Sequence, residues 1–396
     1  MNKKISLGIA ISLMAIAAAI TFILTSTFSL KSFNAKIKDV KERAEKYTKF
    51  EEFDTIVRTN FNGTIDEDAL LNAIFSGYTG GINDKYAKYY TPEEYAKQQQ
   101  SDSGEIFGIG VTYSVDENGY LYVVTVYEDS PASDAGIAPG DLIVKINDSD
   151  VASIGKDEAI AIIEEGEEGS SLTVVVRRDD ADKSYTLERR TIEEIVVTGE
   201  LIENNIGYIR IKTFNQKTAE QFNIMLYSLI NKGAEAFIFD VRDNGGGLIS
   251  SVEAVLNDLL PEGDIVKATY NDGTTKVVVK ADATEIKLPM TVLVNGFTAS
   301  SAEIFAAALR DFGKAQLVGT KTYGKGVMQN TFMLSNGGAV TVTVASFSTT
   351  KAESFDGIGL SPEFESILPE NLTVDMVSRD EDVQLLKAIE VVTTSK

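Results

Sequence analysis

The stretch MTVLVNGFTASSAEIFAAALRDFG, Met290 to Gly313, reads as a strand, a loop and a helix in immediate succession. Met290 to Val294 is a short apolar run. Gly296, Thr298 and Ser300 break it, and Ile304, Phe305, Ala308 and Leu309 then recur at helical spacing. Outward from this stretch the alternation repeats: IGYIRI (Ile206 to Ile211), a helix expected from Thr218 to Asn231, AFIFDV (Ala236 to Val241), a helix expected from Ser250 to Leu260, and QLVGT (Gln316 to Thr320). Nearly continuous apolar strands separated by helices predict a buried, mostly parallel sheet with helices packed against it. Sites in such sheets gather beyond the C-terminal strand ends. Three loops fall there: DNGGG (Asp243 to Gly247), NGFTASSAE (Asn295 to Glu303) and GTKTYGKG (Gly319 to Gly326).

The residue types present narrow the chemistry. The 396 residues include 37 Lys+Arg and 59 Asp+Glu, a net charge of −22, with no His, Cys or Trp. Without His and Cys there is no imidazole-based triad, no thiol nucleophile and no common zinc site. No metal or other cofactor is expected. The acidic balance argues against nucleic acid, whose phosphates repel such a surface.

Toward the N-terminus the chain is uncharged from Ile5 to Leu30, 26 residues, where about 20 apolar residues suffice to cross a bilayer as a helix. Residues 1–33 are therefore expected to be an uncleaved membrane anchor. Lys3 and Lys4 would stay in the cytosol with the body on the extracytoplasmic side, because a large domain translocates largely regardless of flanking charge. A helical region is expected over 34–103, with QQQSDSG (Gln98 to Gly104) as a polar linker.

Strands then begin. IFGIGVTY and LYVVTVY, separated by the turn-former DENG, read as neighbours, and LIVKI, a helix carrying Ile160, Ile162 and Ile163, and SLTVVV complete a small α+β module over 104–193. From Glu105 to Glu193 there are 20 acidic and 7 basic residues, a net −13. Glycines flanking Ile109 can turn successive N–H groups into one concavity that receives a carboxylate. With SPASDAGIAPGDLIVKIND (Ser130 to Asp148), this module resembles PDZ domains. The resemblance implies that Gly108, Ile109, Gly110 and Val111 bind a peptide C-terminus, which would lie between the following strand and the helix near Ala159 to Ile163.

Ser300 allows two readings. S-x-x-E followed by an apolar run is a capping box. A hydroxyl at a helix start also faces free N–H donors and a positive dipole end, which favour a nucleophile and stabilise an oxyanion. With no His, its base would be a lysine. Bringing an ordinary lysine from about 10.4 to near neutrality costs roughly 4 kcal/mol of desolvation or like-charge pressure, so a buried Lys is required. Lys321 and Lys325 are the candidates. Gly319 to Gly326 misses the phosphate-binding G-x-x-x-x-G-K-[ST] pattern at its last place, and a strand rather than a helix follows.

Taken in order, FDVRDNGGGL, LPMTVLVNGFTASSAEIFAAALRD and GTKTYGKGVMQ behind a PDZ-like module resemble the carboxy-terminal processing peptidases. The similarity extends from about Phe50 to Ala388 and includes LLNAIFSGYTGGINDKYAKYYTPEEY. It implies an α/β peptidase core over 194–370, a C-terminal helical tail over 371–396, and a serine endopeptidase acting at or near protein C-termini. Ser300 would be the nucleophile and Lys325 the base, with Gln329 orienting it. Backbone N–H groups of Gly246 and Ser301 would form the oxyanion hole, and the helices near the N-terminus resemble those that pair subunits in relatives. Gly245 stands where that family usually has Pro, which makes the loop more flexible. The competing expectation is a PDZ scaffold that binds tails without cutting them.

Overall fold

The computed structural model describes residues 7–282, 284–369 and 372–394; within 7–43 it describes side chains only at 16 and 19–27. The chain divides into two units, 1–71 and 72–396.

In the first unit one helix runs from Leu7 to Asn60, 54 residues, so the expected anchor and the start of the helical region are continuous. Residues 1–6 of the expected anchor lie outside the described residues. Among the described residues no helix is long and apolar enough to cross a membrane. Arg58 closes the turn into the next helix, Glu67–Gly81, by donating to Asp54 Oδ2 (2.8 Å) and Glu67 Oε2 (2.9 Å).

The second unit departs from expectation at QQQSDSG. These residues finish a helix, Pro92–Ser103, that ends only at Gly104 in the left-handed region (φ 71°). Thr91 caps it: Thr91 Oγ1 accepts from Glu94 N–H while Glu94 returns a carboxylate to Thr91 N–H. A strong start signal and helix-compatible glutamines outweigh the linker-like composition.

The acidic module is an antiparallel sheet of Val111–Val115, Leu121–Val126, Leu142–Ile146, Ser171–Arg178 and Ala181–Glu188, in that spatial order, with Val111–Val115 at an edge. IFGIGVTY is cut in two at its glycines. Glu105–Gly108 pairs instead with Arg190–Glu193 outside this sheet. Ile109, Leu121, Ile143, Ile163, Leu172 and Val174 fill the core, and the helix Lys156–Glu164 buries Ala159 and Ile163 in it.

Downstream the expected sheet is present. Its order is Val197–Ile202, Ile206–Ile211, Ala236–Asp240, Met290–Val294, Ala315–Gly319 and Phe364–Glu365, parallel except for the first pair. Strand alternation splits its side chains between two faces. Phe237 and Phe239 meet the helices Thr218–Asn231, Ile249–Asn257 and Ser301–Asp311, whereas Ala236 and Ile238 meet the helix Val383–Thr394. A second sheet, antiparallel, joins Lys88–Tyr90, Ala339–Thr349, Gly263–Tyr270 and Thr275–Ala281, with Val327–Met333 also paired to Ala339–Thr349.

Candidate active site

The three loops beyond the parallel strands are bonded to one another. Asp243 and Asn295 exchange hydrogen bonds (3.0 and 2.7 Å), Ala299 N–H donates to Asn244 O (2.9 Å), and Tyr323 N–H donates to Thr298 O (3.0 Å). Thr298 Oγ1 donates to Val241 O at 2.8 Å. The ends of these three strands are thus tied to one another by backbone and side-chain groups.

Ser300 stands immediately before the helix Ser301–Asp311 with φ 56° and ψ −119°. An ordinary N-cap has extended φ and ψ; this pair is close to forbidden for a residue with a Cβ. Strain of this kind costs about 1–3 kcal/mol and survives only where surrounding contacts impose it. Capping requires no such conformation. A nucleophile held on a sharp strand-to-helix turn does, because the turn lifts the hydroxyl clear of the backbone.

The contact that holds this turn is Glu303, which is fully buried. Its Oε2 accepts from Ser300 N–H (3.0 Å) and Lys325 N–H (2.8 Å), and its Oε1 from Gly324 N–H (2.7 Å) and Thr322 Oγ1 (2.5 Å). One carboxylate therefore fixes the backbone at both Ser300 and Lys325. The sequence shows Glu303 only as half of a capping box. The other half of its role comes from residues about 20 positions away, and no local spacing signals it.

Of the two candidate lysines, Lys321 is exposed and Lys325 half-buried. Lys325 is held below the ordinary lysine value, first by burial and then by the neighbouring charge of Lys85, with Asp84 acting in the opposite sense. Its Nζ lies 4.6 Å from the centre of the Tyr86 ring. Gln329, expected to orient Lys325, instead donates to Val327 O (3.3 Å) and Thr343 Oγ1 (3.2 Å). The strand carrying Gln329 pairs with Ala339–Thr349, so Thr343 is its direct partner across the ladder.

Gly246 lies against the turn at Ser300. A Cβ on it would stand 2.9 Å from both Ser300 Cβ and Ser301 N, so only glycine permits the approach. Its N–H, however, is engaged by Asn244 Oδ1 at 2.8 Å. Ser301 Oγ donates to Gly247 O (2.8 Å), which commits that hydroxyl to holding the loop.

In the acidic module Gly108 (φ 140°) and Gly110 (φ 76°) adopt backbone conformations that favour glycine. A Cβ on Gly110 would meet Ser130 Cβ at 2.3 Å. Ile109 is fully buried, its carbonyl accepts from Ala132 N–H (2.9 Å), and Val111 opens the edge strand. Among the described residues Val111–Val115 is paired on one side only, by Leu121–Val126.

A segment that spacing could not associate with the site is Asn83–Ala87. Asp84 accepts from Thr343 N–H (2.8 Å) and Thr343 Oγ1 (3.1 Å), which sets Tyr86 beside Lys325. Its one signal was membership of the NDKYAKYY stretch on which the family resemblance partly rests.

A compact acidic module with Val111–Val115 as an edge strand, followed by a two-faced α/β sheet with a strained serine at a helix start, defines a PDZ-bearing serine peptidase. Comparison with known proteins agrees. Residues 205–366 match the peptidase family S41 and residues 122–178 match the PDZ domain. A carboxyl-terminal-processing protease of Picosynechococcus sp. is 33% identical over 318 residues, 79% of this chain and 76% of that protein. The carboxy-terminal processing protease CtpA of Bacillus subtilis (strain 168) is 29% identical over 383 residues, 96% of this chain and 81% of that protein. The crystal structure of a putative S41 protease from Bacteroides fragilis, 16% identical, shares the fold with a TM-score of 0.54 over 87% of this chain and 97% of that one. The chain belongs to peptidase family S41, and the resemblance read from its motifs is borne out.

Proposed function

We propose that this peptidase is an endopeptidase with a Ser-Lys dyad that cleaves proteins at or near their C-terminal tails. Ser300 attacks the scissile carbonyl, neutral Lys325 takes its proton and delivers it to the leaving amine, and water hydrolyses the acyl-enzyme. The observation that carries this reading is the strained Ser300 backbone, bound through Glu303 to the loop of Lys325. Half-burial of Lys325 supports it as base over exposed Lys321. Ser301 N–H, at the first helical position, is suited to the oxyanion, and Gly246 N–H joins it once the loop releases Asn244 Oδ1. Gln329 acts on Lys325 only indirectly, through Thr343 and Asp84.

The PDZ domain, with Gly108 to Val111 at the head of its edge strand, receives the substrate's free C-terminus. The names of the relatives, which describe carboxy-terminal processing, support that substrate class. The uncharged run from Ile5 to Leu30 anchors the protein in a membrane with its body on the extracytoplasmic side, and the helices near the N-terminus pair two subunits. A binding-only scaffold would have no use for a strained serine.

The test is incubation of the full chain with an unstructured protein and mass spectrometry of the fragments. Wild type should cut, whereas Ser300→Ala and Lys325→Arg should not, since guanidinium stays protonated. An active Lys325→Arg beside a dead Lys321→Ala would assign the base to Lys321.

A further inference from the structure

Residues 83–87 precede Lys325 by more than 230 positions, yet they form one wall of its surroundings. Asp84 pins them: its carboxylate accepts from the N–H and hydroxyl of Thr343 and from Tyr86 N–H (3.0 Å). The result is one aromatic ring approached by two ammonium groups. Lys325 Nζ and Lys85 Nζ each lie 4.6 Å from the centre of the Tyr86 ring, and Lys85 Nζ also lies 5.5 Å from that of Tyr323. The two charges are therefore at most about 9 Å apart.

We propose that Lys85 and Tyr86 are positioning residues for Lys325: the Tyr86 ring seats its amine, and the Lys85 ammonium, held on the same ring, makes a second cation there unfavourable. This rests on the Ser-Lys reading and adds the device that keeps the base neutral. A π face alone favours a cation, so the ring by itself would work against catalysis. Burial of the Lys325 stem and the Lys85 charge act the other way, and Lys325 is held below the ordinary lysine value with those two causes in that order.

The remaining charged and titratable neighbours do not duplicate this role. Asp84, on the same segment, favours the protonated amine. Glu303, on the helix Ser301–Asp311, is occupied by four donors including Lys325 N–H. Asp356 accepts from Gly326 N–H (3.0 Å), and Tyr323 lies against Lys85. Lys85 is thus the cation placed to oppose another at Lys325. It is exposed, so its replacement should not disturb packing.

The experiment is the pH dependence of kcat/KM for peptide cleavage by the full chain, comparing wild type with Lys85→Met, Lys85→Arg and Lys325→Arg. Lys85→Met should move the rising limb to higher pH, losing roughly three- to tenfold at neutral pH, as expected for a partly screened charge within ~9 Å, while reaching the wild-type plateau in alkali. Lys85→Arg should restore the limb, and high salt should shrink the difference between wild type and Lys85→Met. A Lys85→Met limb superimposed on wild type overturns the proposal. So does a uniform loss at every pH, which would mark a structural role. An active Lys325→Arg would instead overturn the dyad itself, a distinct outcome.

Discussion

Glu303→Gln is the substitution that most directly tests how the site is assembled. The change is nearly isosteric, so its cost comes from hydrogen bonding rather than volume. Four donors converge on the carboxylate, two per oxygen: Ser300 and Lys325 N–H on Oε2, Gly324 N–H and Thr322 hydroxyl on Oε1. An amide offers one acceptor oxygen and one NH2. If the NH2 faces Ser300 and Lys325, two buried N–H groups lose their acceptor, at about 1–3 kcal/mol each. If it faces Thr322 and Gly324, the hydroxyl can turn to accept, but Thr322 Oγ1 already accepts from Leu360 N–H (2.7 Å) and Gly324 N–H is still unmet. Either orientation also replaces charge-assisted bonds by weaker neutral ones. We expect a loss of about 3 kcal/mol, large against a typical total of 5–15 kcal/mol yet compatible with a folded protein.

Denaturant unfolding of Glu303→Gln beside wild type measures that loss, and peptide cleavage at a temperature where both are folded measures its catalytic effect. Because the carboxylate fixes the backbone at Ser300 and Lys325 together, cleavage should fall on the order of 100-fold, as misplacement of reacting groups does. Stability within about 0.5 kcal/mol of wild type together with undiminished cleavage would refute the view that Glu303 holds the two loops in register.

Three further outcomes follow from the same geometry. Ser300→Gly should be inactive yet more stable than Ser300→Ala by about 1 kcal/mol in denaturant unfolding, because relief of roughly 2 kcal/mol of strain exceeds the added freedom of the unfolded chain; the reverse order would remove the strain argument. Lys325 is held below the ordinary lysine value in the folded state, so the unfolded chain binds the extra proton and stability rises with pH up to the ordinary lysine range. Lys325→Met should therefore raise Tm at neutral pH, with the gain fading toward pH ~10, and a gain that grows with pH would contradict the assigned direction. Inactive Ser300→Ala protein should bind a peptide that carries Lys or Arg upstream of apolar terminal residues and a free C-terminus but not its amidated form, and more weakly as salt screens its cations from the −13 module; calorimetric titration giving equal affinities would remove the tail-binding role.

The sheet was legible because its signals are local. The continuous apolar run of AFIFD and the helical spacing from Ile304 to Leu309 each fix one element, and short connections do the rest. Ser300 at the helix start was legible for the same reason. QQQSDSG misled because polarity is only a correlate of loops, whereas the cap at Thr91 is a mechanism.

What the sequence could not show are the contacts made across long separations. The family resemblance implies Gln329 as a partner of Lys325. The strand Val327–Met333 carries a register shift between Met328 and Gln329, and in that register the Gln329 amide meets Thr343. Thr343 in turn is claimed by Asp84, from a segment laid on the sheet about 260 residues earlier. The loop containing Lys325 is therefore bounded on one side by Glu303 and on the other by Tyr86, contributed by elements far apart in the chain. A lysine can be kept neutral only by surroundings that exclude water and present like charge. Those surroundings must come from several elements at once, so the residue types of the proposed dyad are readable from sequence whereas the conditions for its protonation state are not.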